Sequence, residues 1–326
     1  MQQRALGPFS VSAIGLGCMN ISFGYGECSD EDAGKLLNAS LDAGYTFLDT
    51  AELYGAGRSE SLIAKFLESR RHEYTLATKC GLTPNGMDGR PEVLLNSCDK
   101  SLQRLKTDVI DLYYLHRADP KVPIEESVGA LARLVEAGKV RAIGLSEVST
   151  ETLKRAHKEH QITALQSEYS LWSRTPERGI LNACKELGVV MVPFSPLGRQ
   201  FLTGKSPDVS QLPDDDLRCT IARPRFEPEA FKKNMQLMTR FGEIANDVGC
   251  TKAQLGLAWL LAKESGAMIP IPGTRNVSHA VENAGAADVA LTSDVVDELD
   301  TLINEKTVTG TRYTSDRMAS SDSEKD

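Results

Sequence analysis

The chain has 326 residues, 41% of them apolar and 25% charged, with a formal net charge of −8. This length suits one large α/β unit, no apolar run is long enough to cross a bilayer, and the acidic balance excludes general nucleic-acid binding. Seven cysteines form no CxxC pair and no alternation with histidine, so neither a zinc site nor a disulfide framework is expected.

From the N-terminus, "MQQRALGPFS" has no apolar segment of the secretory kind, so the expected compartment is the cytoplasm, with a small molecule as partner and no membrane. "RALGPFSVS" reads as a β-hairpin. After it, short apolar strands alternate with amphipathic helices: strands at 13–17, 45–50, 74–80, 109–116, 140–146, 162–168, 189–195 and 267–273. Ser29 with Asp32 forms a helix-starting box, and "DAG", "EAGK" and "ELG" place glycine where helices stop before strands. Strands apolar on both faces, each followed by a helix, predict an all-parallel sheet, and their number favours a (β/α)8 TIM barrel over an open doubly wound sheet. The barrel is expected over residues 1–305, with an N-terminal hairpin and long loops on its C-terminal face, including 197–228. An extra helical pair is expected before the last strand. The polar tail 306–326, ending "MASSDSEKD", is expected to be partly disordered.

In such a barrel chemistry collects at the carboxyl ends of the strands. Those ends carry Asp49, Lys79, His116, Ser146, Gln166, Phe194 with Ser195, and Gly273 with Thr274. Taken alone, Asp49 and Lys79 read more readily as a structural ion pair than as a catalytic one. Tyr54, in a turn that Gly55 and Gly57 let fold back, changes the balance. A phenol near a lysine ammonium gives up its proton more easily, Asp49 would hold that lysine charged, and a neutral His116 would orient a substrate oxygen. The set lacks a nucleophile, a metal ligand cluster and paired carboxylates, so it suits proton donation to a carbonyl whose carbon takes hydride from a nicotinamide.

"FLDTAELYGAGRSE", "ATKCG", "DLYYLHRAD", "VRAIGLSEVS", "LQSEYS", "VPFSPLGRQFLTG" and "IPIPGTR....AVENAGA" together resemble the aldo-keto reductase superfamily over residues 4–305. The resemblance implies NADPH (or NADP+) bound in extended form without a Rossmann domain. It implies a tetrad of Tyr54 as general acid with Asp49, Lys79 and His116. Gly17, Cys18 and Met19 with Asp49 would border the cofactor, Ser146 and Gln166 would hold the carboxamide, and Phe194 would stack on the nicotinamide. Ser195, Leu197, Gly198 and Arg199 resemble the pyrophosphate segment. Gly273, Thr274 and Arg275 with His279 resemble the 2′-phosphate site, while Glu282 and Asn283 match adenine contacts. Glu147 stands where members often have asparagine; some subgroups that share the "PRF" of Pro224 to Phe226 tolerate this glutamate, and its role is open.

Substrate contacts are expected from Phe23, Tyr25, Leu53 and Trp172, with Met19, Ile21, Arg117 and Phe226 nearby. The implied activity is reversible, NADPH-dependent reduction of an aldehyde or ketone, of the alcohol dehydrogenase or carbonyl reductase type. The alternative is an NADPH-binding regulatory or redox-sensing subunit resembling potassium-channel β subunits. A Schiff-base role for Lys79 is disfavoured, because Asp49 should keep the amine protonated.

Overall fold

The computed structural model describes residues 1–205, 208–263 and 268–326. It opens on an antiparallel hairpin, β1 (Gln3–Leu6) with β2 (Phe9–Ser12). The parallel strands follow: β3 (Leu16–Gly17), β4 (Phe47–Asp49) and β5 (Thr75–Cys80). A small hairpin, β6 (Leu82–Thr83) with β7 (Gly86–Met87), separates them from β8 (Ile110–Leu115), β9 (Val140–Ser146), β10 (Ile162–Glu168) and β11 (Val190–Phe194). The sheet order is β3-β4-β5-β8-β9-β10-β11, so neighbours in the sheet follow each other along the chain apart from the small hairpin.

The ring closes through the stretch 268–273. Ile269 and Ile271 N–H groups donate to Met191 and Pro193 on one side, and Pro270 and Pro272 carbonyls accept from Gly15 and Gly17 on the other. Neither proline has an N–H to give, so the ladder survives there only as isolated bridges, Met191 with Met268 and Gly17 with Gly273. This is the eighth strand expected at 267–273, except Ala267, which lies outside the described residues. Ser206 and Pro207 of the long loop lie outside them as well.

Helices cover the sheet: α1 (Asp30–Asp42), α2 (Arg58–Leu67), α3 (Pro91–Leu105), α4 (Ile124–Glu136), α5 (Thr150–Glu159) and α6 (Ile180–Leu187). The expected extra pair appears as α7 (Pro228–Val248) and α8 (Lys252–Ala262). After the last strand come α9 (Val277–Ala284), α10 (Ser293–Leu302) and α11 (Ser315–Ser320). Ser29 caps α1 by accepting from the Asp32 N–H at 3.1 Å, but Asp32 answers its hydroxyl rather than its backbone. A full reciprocal capping box forms instead at α8, between Thr251 and Gln254. Gly188, at φ 68°, ends α6 in the left-handed conformation that releases the chain into β11.

Both faces of β8 and β10 are buried, as a parallel sheet wrapped in helices requires. Inside the ring, Phe47, Ala77, Leu112, Tyr114, Ala142, Ala164, Val192 and Ile271 form an inner core, which Leu6 and Val11 of the hairpin join. The hairpin therefore plugs one end of the barrel, each of these two side chains contributing about 1.5–3 kcal/mol of burial. The other end, where the strands finish, is left for chemistry.

The tail departs from its expected disorder. Residues 306–326 lie against the barrel, α11 is formed, and Arg312, Tyr313 and Ser323 are buried. Asp322 accepts from the Ser149 N–H and Asp326 from the Thr150 N–H, both at 2.9 Å. The tail's acids thus meet the free N–H groups at the start of α5, a favourable end for negative charge.

Candidate active site

Four strand ends build the centre of the site. Lys79, fully buried on β5, places its Nζ 2.5 Å from Asp49 Oδ1 of β4, 2.8 Å from the Thr50 carbonyl and 3.2 Å from the Tyr54 hydroxyl. All three ammonium donors are thereby occupied. The second Asp49 oxygen accepts from Gln166 Nε2 of β10 at 2.8 Å. Tyr54 reaches the lysine because the turn after β4 folds back through Gly55 at φ 60° and Gly57 at φ 89°. A side chain at Gly55 would meet the Ser22 carbonyl at 3.0 Å. His116 follows β8, its ring 5.8 Å from that of Tyr54 and nearly perpendicular to it.

Burial works against the Lys79 ammonium, but the Asp49 and Tyr54 charges outweigh it and hold its pKa above the ordinary value. Burial also pushes the Tyr54 phenol up, and the Lys79 charge pulls it back only in part. The lysine acts in the direction the sequence suggested, yet the net shift is upward. Burial, then Arg117 and Lys79, push His116 well below the ordinary histidine range, so the imidazole is neutral.

These side chains stand at one end of an elongated cavity of about 1140 Å³. That exceeds the roughly 300–1,000 Å³ of most ligand pockets. Its walls include Gly17, Met19, Asp49, Tyr54, His116, Ser146, Gln166 and Phe194 around the tetrad, Gly273 bridged to Gly17, then Ser195, Leu197 and Arg199, and beyond Gly273 along the chain Thr274, Arg275, His279, Glu282 and Asn283. Phe23, Tyr25, Leu53 and Arg117 also line it. Arg275 donates to the Glu27 carbonyl at 2.5 Å and leaves the rest of its guanidinium for a ligand.

Several expected contacts fall elsewhere. Trp172 is not a pocket residue: it is buried, stacked on Phe201 at 4.1 Å, edge-on to Phe226 and covered by Arg225 at 5.1 Å. Its large apolar ring packs against other aromatic rings in the core rather than facing a polar cavity. Phe226 and Ile21 are buried with it in the core. Cys18 turns its thiol inward, toward the Leu16 carbonyl, and burial raises that thiol, as it does Cys80. Gly198 packs against Trp172 rather than the cavity. Arg199 lines the cavity, but its charge is matched by a two-pronged pair with Glu168 at 3.0 and 2.7 Å.

Glu147 borders the cavity at the end of β9, but its carboxylate is committed to protein partners. At φ 54°, its carboxylate accepts from the Glu168 N–H at 2.8 Å, Arg312 at 2.6 Å and Ser323 at 2.7 Å. Burial opposes its charge, but Arg312 and Arg117 prevail and hold it down to about 2. Sequence reasoning did not find this partner. Arg312 and Tyr313 inside a polar tail were the available signal, and Tyr313, Arg317, Ser320 and Ser321 of that tail line the cavity.

A closed parallel βα barrel, a Lys–Asp pair buried beneath a tyrosine and a neutral histidine, and no glycine-rich dinucleotide fingerprint define a barrel oxidoreductase. The chain belongs to the aldo/keto reductase family, whose model matches residues 13–304. It is 41% identical over 323 residues to the NADP(+) aldo-keto reductase yakc of Schizosaccharomyces pombe, covering 95% of this chain and 94% of that protein. It is 40% identical over 312 residues to the probable aldo-keto reductase 1 of Glycine max, covering 94% and 89%. Among solved structures, a glycerol dehydrogenase from Gluconobacter oxydans superposes with a TM-score of 0.84 at 28% identity over 92% of this chain and 94% of that one. An aldo/keto reductase from Klebsiella pneumoniae, solved with NADP and acetate, gives 0.73 at 26% identity over 93% and 95%. Aldo-keto reductases use NADP(H). Among the described residues no helix is long and apolar enough to cross a membrane.

Proposed function

We propose that this protein reduces an aldehyde or ketone to an alcohol with NADPH, reversibly, and that Tyr54 gives the proton. The observation that carries the reading is Lys79 Nζ at 3.2 Å from the Tyr54 hydroxyl, seated on Asp49. When bound, NADPH supplies hydride from its nicotinamide. The cavity fits it: it is larger than one small substrate needs, it runs from the tetrad to Arg275, and its far-end donor set suits a phosphate. Gly273, Thr274, Arg275 and His279 would hold the 2′-phosphate, with Glu282 and Asn283 at the adenine. Ser195 and Leu197 would border the pyrophosphate, and Phe194 would offer its face to the nicotinamide. Gln166 commits its NH2 to Asp49 and keeps its oxygen free to accept.

Toward the substrate, Tyr54 donates to the carbonyl oxygen, Lys79 stabilises the phenolate left behind, and neutral His116 orients that oxygen by a hydrogen bond. Phe23, Tyr25 and Leu53 supply apolar contact, favouring a moderately hydrophobic carbonyl compound, and the long loop 197–228 gates cofactor release. The test is NADPH absorbance with a panel of small aldehydes and ketones, beside Tyr54→Phe. Turnover confined to the unsubstituted enzyme supports the proposal. NADPH binding with no turnover above Tyr54→Phe would replace it with the cofactor-binding regulatory role.

A further inference from the structure

Arg117 is a cation in the cavity wall that the tetrad does not use. It follows His116 at the end of β8, and its Nη1 donates to the His116 carbonyl at 2.5 Å and to Ser146 Oγ at 3.0 Å. One guanidinium nitrogen therefore ties the end of β8 to the end of β9. Among the described residues Arg117 has no salt bridge, since the nearby carboxylate, Glu147, is turned to Arg312 and Ser323.

Hydrogen-bond arithmetic at Ser146 gives the tie a consequence. A hydroxyl has one proton and two lone pairs, and Arg117 takes a lone pair. The Ser146 proton goes to no acceptor among the described residues, while the side chain is 1% exposed and lines the cavity. That proton is free to point into the cavity, toward whatever oxygen the ligand presents. Glu147, beside it, has no N–H or O–H in its side chain to offer when ionised, so the donor at this strand end must be Ser146.

We infer that Arg117 is a positioning residue acting through Ser146: by occupying the acceptor side of the hydroxyl, it presets Ser146 as a donor to the carboxamide oxygen of the bound nicotinamide. The inference rests on the cofactor reading above. Its energetic logic is preorganisation, because a hydroxyl already held by a charged donor loses less rotational freedom on binding. The same guanidinium adds positive charge beside His116 and Tyr54, so it works with Lys79 at the rim.

The test is a double-mutant cycle read by fluorescence titration of NADPH with the purified apo chain, so it reports whether or not any substrate is turned over. Arg117→Met and Ser146→Ala should each weaken NADPH binding about tenfold. The double variant should be no weaker than either single variant, because each substitution removes the same interaction. Arg117→Lys should recover only part of the loss, since one ammonium spans the two acceptors less well than the fork. Circular dichroism checks that each variant folds, with Arg117→Lys carrying the test if Arg117→Met does not. Additive losses would overturn the inference, because Arg117 would then act independently of Ser146. Unchanged NADPH affinity with a raised substrate KM would overturn it too, making Arg117 a substrate contact. A chain that binds NADPH and obeys the cycle but reduces no carbonyl would sink the proposed function and leave this inference standing.

Discussion

Lys79 Nζ lies 3.2 Å from the Tyr54 hydroxyl with both side chains withdrawn from solvent, Lys79 completely and Tyr54 to 9% exposure. A charge this close in a poorly hydrated site is weakly screened, so it stabilises the phenolate most when the proton leaves. Tyr54→Phe keeps the ring and removes the proton. Reduction should fall about 100- to 10,000-fold in kcat, the usual worth of a general acid, while NADPH affinity changes less than about twofold. Steady-state kinetics with a binding titration checks this, and unchanged kcat would remove Tyr54 from its role.

Lys79→Met should cost stability as well as activity. It leaves Asp49 buried at 2% exposure with only the Gln166 NH2 as partner. Stranding one member of a buried pair costs about 3–5 kcal/mol. Adding Asp49→Asn should recover part of that loss, because the stranded charge is gone. Urea denaturation of the two variants measures the difference, and equal stability would mean that water reaches Asp49.

The pH profile follows from the two shifted groups. As the proposed proton donor, Tyr54 would have to be protonated for reduction and ionised for oxidation. Since burial places its pKa above the ordinary value of 10, reduction should stay flat from about pH 6 to 9, and oxidation should rise with pH. His116 titrates well below 6.5, so no acid limb near that value should appear. In stability the sign is that of a depressed group: the folded state binds fewer protons, so the His116 contribution is complete above about 6.5 and is lost as pH falls below it. A reduction rate that halves near pH 6.5 would show a charged histidine.

The barrel and its tetrad were legible because both depend on local pattern. Period, strand ends and glycine turns placed Asp49, Tyr54, Lys79 and His116 at one rim, and the structure brings them together. What stayed hidden depends on long-range pairing of polar groups. Glu147 meets Arg312 across 165 residues, and no periodicity signals such a partner. Trp172 misled for a related reason: an aromatic just past a strand end suits a pocket and a core equally, and only the placement of Phe201 and Phe226 decides. The polar composition of 306–326 suggested disorder, but Arg312 meets the buried Glu147 while Asp322 and Asp326 meet the start of α5, pairings that no local pattern signals.

Arg275→Ala tests the far end of the cavity. Its guanidinium has one backbone acceptor, the Glu27 carbonyl, and otherwise faces the cavity. Charge-assisted bonds to a phosphate are worth about 1.5–3 kcal/mol, so NADPH affinity should fall about 10- to 100-fold while NADH affinity stays nearly constant. Equal losses for the two cofactors would move the 2′-phosphate elsewhere.

The Glu147–Arg312 pair should make the tail sensitive to acid. Arg312 gives Nη2 to Glu147 at 2.6 Å and to Ser323 at 2.8 Å, and Nε to Glu324 at 2.5 Å, so one side chain gathers both the barrel rim and the end of the tail. Glu147 is held at about 2 against an ordinary 4.5. A depressed carboxyl contributes stability that is complete above about 4.5 and lost as pH falls toward 2, because the unfolded chain then binds the proton first. Arg312→Met leaves Glu147 buried without its cation, so it should lower the melting temperature at neutral pH and expose the tail to limited proteolysis. Glu147→Gln removes the charge at its source and should flatten the acid side of the profile between about pH 2 and 4.5. The double variant should melt above Arg312→Met alone, since no carboxylate is then stranded at this position. Melting curves from about pH 2 to 7 decide the matter: an acid limb that persists unchanged in Glu147→Gln would assign it to another carboxylate, with Glu168, two-pronged to Arg199, the next to test.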